Sequence, residues 1–151
     1  MLKKALLMGT LVLMVGALIG CGGSADTGGG DGGGEVALKV TGSVDKEMGW
    51  TEDEVKAMDT IDAESTNKEG ETKTYTGVPI NALLVLAGVK DGATTVVYVA
   101  GDEYTAEVPL ADVEGCADCI VSFRNQGGFS IVMPGFPSKV QVKDVVEIQV
   151  K

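Results

Sequence analysis

The chain has no histidine. That absence removes every Ser-His-Asp triad, every Cys-His pair and every histidine-based zinc site at once. Arginine occurs once, as Arg124, and cysteine three times, as Cys21, Cys116 and Cys119. Positive charge is scarce overall: 12 Lys and Arg stand against 22 Asp and Glu, a formal net charge of -10. Binding to nucleic acid needs clustered Lys and Arg to neutralise phosphates, so an acidic chain argues against a nucleic-acid partner. It argues equally against electrostatic docking on anionic lipid. The negative charge reads as a device for solubility. No phosphate loop of the Walker type is present, since the Gly-rich tract at 28–34 lacks the required lysine. No internal repeat is visible.

What is present first is a leader. Lys3 and Lys4 form a short positive segment, and Ala5 to Ile19 carries no charge and is dominated by Leu, Val, Met and Ala. A membrane span takes about 20 apolar residues, so this run is short for a span and fits the apolar region of a secretory signal. It ends in Leu18-Ile19-Gly20-Cys21, which looks like a bacterial lipobox. Residues 1–20 are therefore expected to be a lipoprotein signal peptide and Cys21 the lipid attachment site. Each buried methylene adds about 0.8 kcal/mol, so two or three acyl chains give stable anchoring. The competing readings are an uncleaved membrane helix and a plain signal with an incidental cysteine. Position, length and motif together favour the lipobox. Residues 21–34 are nearly all Gly, Ser, Asp and Thr beyond the cysteine, with nothing apolar larger than Ala25. Such a segment is expected to be a flexible tether. The expected location is the extracytoplasmic face of a cell membrane.

Residues 35–151 are long enough for one domain with its own core. Val36 to Val40 alternates and stops at Thr41-Gly42, a strand and turn. Thr51 followed by Glu54 has the form of a capping box and predicts a short helix over 52–57, with Val55 and Met58 turned inward. Met58 to Ala63 is expected to extend as a strand. Asn67 to Gly70 reads as a turn and Glu71 to Thr76 as a strand. Pro79 fits the first position of a helix whose buried face is Ile80, Leu83, Leu84 and Ala87, closed by Gly88. Thr94 to Ala100 is a β-branched run expected to be a central strand, turning at Gly101 to Glu103 into Tyr104 to Val108. Pro109 to Val113 forms a helical turn. Cys119 to Phe123 and Phe129 to Met133 flank a turn at Asn125 to Gly128, a second hairpin. Pro134 to Pro137 is a loop, and Val140 to Val142 and Val145 to Val150 are closing strands of period two. The sum is an α+β domain, mostly antiparallel β-strands with one or two short helices.

Several stretches, taken in order, resemble the oxidoreductase molybdopterin-binding domain family, which has the sulfite oxidase-type fold. They are Leu38-Lys39-Val40-Thr41-Gly42, Tyr75-Thr76-Gly77-Val78-Pro79-Ile80 with Ala82-Leu83-Leu84 and Ala87-Gly88, Ala100 to Tyr104, Met133 to Pro137, and Val142 to Ile148. The resemblance covers roughly Leu38 to Val150. It implies that fold and, in the family's enzymes, a molybdenum held by a pterin dithiolene and one cysteine thiolate. The family's cysteine falls upstream of the glycine that corresponds to Gly77, near Glu64 to Asn67. Ser65 is the nearest equivalent, and Ser65, Thr66, Asn67 and Tyr104 become the expected cofactor-binding residues. A serine hydroxyl is a harder and far less acidic donor than a thiolate. Without histidine and with one arginine, a cofactor phosphate would need lysines or backbone amides. Molybdopterin is thus the cofactor that the resemblance implies, and the ligand residues argue against it.

Cys116 and Cys119 form an isolated pair. Three readings compete. Thioredoxin-like redox chemistry needs the first cysteine at a helix N-terminus, and here an apparent strand follows. Metal binding would need further ligands, such as Asp118 or a second chain. A structural disulfide, or an idle reduced pair, is the favoured third reading, and an extracytoplasmic location permits the bond. Trp50 reads as core, and Tyr75 and Tyr104 as strand tyrosines beside motif turns. Glu52, Asp53, Glu54, Asp102 and Glu103 read as caps and turns. No catalytic residue and no metal-ligand set stands out. Two functions remain: a lipid-anchored binding or accessory module for a small molecule or partner protein, and an extracytoplasmic oxidoreductase using molybdopterin or the Cys116/Cys119 pair.

Overall fold

In a computed structural model, residues 34–151 are described. The expected signal peptide, the lipid site Cys21 and all but the last residue of the expected tether lie outside the described residues. Among the described residues no helix is long and apolar enough to cross a membrane.

The domain is built on two sheets. Strands β1 (Leu38–Gly42), β2 (Met48–Trp50), β5 (Thr95–Ala100), β6 (Thr105–Pro109) and β9 (Val145–Val150) form a five-stranded sheet in the order β2-β1-β9-β5-β6. Strands β3 (Ile61–Thr66), β4 (Thr72–Pro79), β7 (Ile120–Phe123) and β8 (Phe129–Val132) form a four-stranded sheet in that order. Three short helices connect them: α1 (Glu52–Lys56), α2 (Ile80–Ala87) and α3 (Leu110–Glu114). All named pairings are antiparallel except β1 with β9, which joins the first and last strands in parallel.

Local chemistry explains most elements. Helix α1 starts at a complete capping box: Glu54 N donates to Thr51 Oγ1 at 3.3 Å, and Thr51 N donates to Glu54 Oε2 at 2.7 Å. Its acidic first turn and Lys56 in the last suit the helix dipole. The Lys56 ammonium lies 2.6 Å from the Glu52 carboxylate. That bond, followed by the Gly128 N–H, holds the Glu52 carboxyl below its ordinary pKa, and the same pair raises the Lys56 ammonium. Helix α2 buries Ile80, Leu83, Leu84 and Ala87, and ends at Gly88 with φ 71°. β5 lies between β9 and β6, and Val96, Val97 and Tyr98 are buried.

One core joins both sheets and α2: Val40, Tyr98 and Ile148 from the first sheet meet Val78, Val121, Phe129 and Ile131 from the second. Burial raises the Tyr98 phenol's pKa well above its ordinary value. The alternate residues of the second sheet form a small cluster of Ala63, Ile120 and Val132, with Ile61 and Tyr75 packed against it.

Four expectations need correction. Pro79 is the last residue of β4 and the N-cap of α2, because the Ile80 amide donates to Cys119 O at 2.9 Å and continues the strand pairing. The strand expected from Met58 begins only at Ile61, since Met58 N still donates to Val55 O and closes α1. The strand expected from Tyr104 begins at Thr105, because the Tyr104 amide closes the turn on Asp102 Oδ1 at 3.1 Å. The segment Val140 to Val142 is not a strand: Ser138–Val140 is a 3₁₀ turn, and Val140 and Val142 alternate because both point into the core from a loop.

Candidate functional site

The β3–β4 hairpin extends past the second sheet, and the Phe136–Lys143 segment runs beside it. Between them lies a groove of about 810 Å³. Ser65 to Glu69, Glu71, Lys73 and Tyr75 supply one wall, and Phe136, Pro137, Ser138, Gln141 and Lys143 the other.

The hairpin end is organised by Asn67. Its Oδ1 accepts from the amides of Glu69 at 3.0 Å and Glu71 at 2.9 Å, and its Nδ2 donates to Glu71 Oε2 at 3.0 Å. Thr66 and Thr72 face each other across the strand pair with their hydroxyls 2.8 Å apart. Ser65 pairs with Lys73, and its Oγ donates across the groove to Gln141 Oε1 at 3.3 Å. Gln141 Nε2 in turn donates to Phe136 O at 3.4 Å. Ser65, Thr66 and Asn67 therefore line one groove, and each side chain already has a partner within the fold.

Tyr104 is not among the groove-lining residues. Its hydroxyl donates to Lys139 O at 2.9 Å, so it braces the 3₁₀ turn. Arg124, the single guanidinium, is paired with Asp144 Oδ1 at 2.8 Å. The groove's cations are Lys68, Lys73 and Lys143, and among the described residues none of them makes a salt bridge. These lysines, and Gln141 and Phe136 opposite, were not singled out from sequence. Lys68 lies in a recognisable turn and Lys73 just beyond it, but nothing local brings Lys143 beside them.

Cys116 and Cys119 are joined in a disulfide, with Cα atoms 5.4 Å apart. The bond pins the turn from α3 into β7. Cys119 is buried, and Asn81 Nδ2 donates to the carbonyls of Glu114 at 3.2 Å and Cys116 at 3.4 Å. Cys116 follows the C-terminal end of α3, where exposed carbonyls disfavour a thiolate. Among the described residues no three His, Cys, Asp or Glu side chains gather as a metal site. The disulfide is remote from the groove. Pro79 pairs with Ile120 beside Cys119, whereas Lys73 pairs with Ser65. Those two positions of β4 are six residues apart, about 20 Å along a strand.

A family model described as the oxidoreductase molybdopterin binding domain matches residues 34–151. No curated protein matches. Among solved structures, the sulfane dehydrogenase SoxCD from Paracoccus pantotrophus is similar, with a TM-score of 0.63 and 20% identity over 75% of this chain. The match spans 37% of the SoxCD chain, so this chain resembles a part of that protein, and at that identity the likeness concerns the fold.

Proposed function

The chain belongs to the oxidoreductase molybdopterin-binding domain family, and from that premise we propose that it serves as a metal-free binding or accessory module, lipid-anchored through Cys21 at the extracytoplasmic face of a cell membrane. The donor set of the groove carries the reading. At the position that the resemblance assigns to the metal's thiolate stands Ser65, whose hydroxyl is hydrogen-bonded to Gln141. An alcohol at that position is a hard donor that holds its proton, whereas this metal's protein ligand is a soft thiolate.

Nothing nearby replaces the thiol. Cysteines in the domain occur only at 116 and 119, tied to each other at the far end of β4. Arg124 is committed to Asp144, and histidine is absent. The residues present do not fit a molybdenum-pterin centre.

The location rests on the leader. The apolar run, the lipobox and the Gly-rich segment have the order that an anchored, tethered domain requires. A disulfide is compatible with that compartment.

Two assays on the full chain, exported in a bacterial host and purified in detergent, test the proposal. Radiolabelled palmitate is expected to label the wild type and not Cys21→Ala. Dye-linked oxidoreductase assays are expected to show no turnover. Dye-linked turnover abolished by Cys116→Ala/Cys119→Ala would assign the activity to the disulfide, and turnover that survives that change would restore an enzyme at the groove. Either result contradicts the accessory reading.

A further inference from the structure

We infer that the groove beside Ser65 binds a compact polyanion: a small molecule with at least two negative groups, held between Lys68 and Lys73 on the hairpin wall and Lys143 on the opposite wall. The inference deepens the metal-free reading and rests on it.

The distribution of charge is the first ground. The chain carries a net charge of -10, yet Lys68, Lys73 and Lys143 line one concavity against two carboxylates, Glu69 and Glu71. Among the described residues the ion pairs are Lys56 with Glu52, Arg124 with Asp144 and Lys151 with Glu107. Among the described residues, Lys68, Lys73 and Lys143 form no salt bridge with Glu69 or Glu71 beside them. Glu71 is instead tied to Asn67, which fixes the turn and turns that carboxylate toward its own hairpin.

Preorganisation is the second ground. Both walls are held before any ligand arrives. Asn67 closes the hairpin turn, Ser65 links the hairpin to Gln141, and Tyr104 braces the 3₁₀ turn from behind. A ligand with one negative group would satisfy one wall. A ligand with two would bridge both and recover charge-assisted hydrogen bonds at each end. The groove volume, about 810 Å³, lies in the range of small-molecule sites and is larger than a single inorganic ion needs. Ser138 and the Gln141 amide add neutral polar groups that orient the ligand.

Phosphate and carboxylate share this chemistry, and two probes separate them. The full chain in detergent is titrated calorimetrically with inorganic pyrophosphate and with citrate, and acetate serves as the monoanion control. Saturable one-to-one binding of pyrophosphate, citrate or both is expected, with no response to acetate and with affinity falling as salt rises. Lys73→Gln/Lys143→Gln is expected to weaken binding at least tenfold. Lys39→Gln/Lys90→Gln, which removes the same net charge elsewhere on the surface, is expected to leave it within twofold. Response to one probe alone names the anion class. No saturable binding of either probe overturns the inference, as does an equal loss in both double variants, which would mean diffuse electrostatics. Metal analysis of the same samples keeps the two levels apart. Molybdenum at one per chain overturns the underlying metal-free reading, whereas a metal-free chain that ignores both probes overturns the polyanion site alone.

Discussion

Gly77 lies in the Thr76-Gly77-Val78-Pro79 stretch that carries much of the family resemblance, and the structure gives it a steric reason. It pairs with Ser122 across the β4–β7 ladder. A Cβ added at Gly77 would lie 2.1 Å from Val121 O, 2.6 Å from Ser122 Cα and 2.7 Å from Val121 C. All three are backbone atoms, so no side-chain rotation relieves the clash. Gly77 does not have a positive φ, so alanine would meet no dihedral penalty there. Two effects compete. Alanine in a strand regains roughly 0.5–1 kcal/mol of backbone entropy relative to glycine. Against that, β7 must move away by about 1 Å, the order of strain that costs roughly 1–3 kcal/mol in packed cores. The shift also loosens a ladder that includes the Ser122 Oγ to Ser130 O bond at 3.1 Å, and each hydrogen bond lost adds about 1 kcal/mol. The steric side wins. Gly77→Ala should lower stability by about 2 kcal/mol. Urea unfolding followed through buried Trp50 should show a midpoint roughly 1 M lower, given a slope of about 1–3 kcal/mol/M. A midpoint equal to or above the wild type would refute the reasoning, since it would mean that β4 and β7 separate without cost.

Three further outcomes follow from the same structure. The Cys116–Cys119 bond closes only a small loop, so opening it, by reduction or by Cys116→Ala/Cys119→Ala, should cost about 2 kcal/mol on the chain-entropy scale; loss of folding altogether in denaturant titration would show that the bond holds more than its turn. Tyr98→Phe should change stability by less than about 1 kcal/mol, because the buried hydroxyl gives up only a weak 3.5 Å contact to Met133 Sδ, read by thermal unfolding. The lowered pKa of Glu52 means that its contribution is present above the ordinary value of 4.5 and is lost as pH falls through the lower folded value. Melting temperatures of wild type and Glu52→Gln should therefore differ at neutral pH and converge in acid; a constant gap across the acid range would show that the carboxylate charge is not what stabilises α1.

Elements with a local cause were legible in the sequence. The capping box from Thr51 to Glu54 gave α1, Gly88 gave the end of α2, and the β-branched run gave β5 as a central strand. The β5–β6 and β7–β8 hairpins were readable from their turns. Elements with a tertiary cause were not. The parallel β1–β9 pair joins strands separated by most of the domain, and no periodicity encodes which strands become neighbours. β2 is three residues long with a glycine at its centre. The alternation of Val140 and Val142 was real burial, but in a loop. The groove divides in the same way. Ser65 to Asn67 came from the resemblance, whereas the opposite wall depends on how the Phe136–Lys143 segment lies along the hairpin. Tyr104, beside a motif turn in sequence, reaches the back of that wall. The spacing of Cys116 and Cys119 left three chemistries open, and the structure draws the pair as a disulfide at the end of a helix.

The central claim is that a molybdopterin-domain fold here works without its metal. The most direct test is elemental analysis by mass spectrometry, with a pterin fluorescence assay, on the full chain. It should be exported by a host that makes molybdenum cofactor and purified in detergent. The account predicts neither molybdenum nor tungsten and no pterin at stoichiometric level. One molybdenum or tungsten with one pterin per chain would contradict it and would require a metal ligand around Ser65 that this structure does not show.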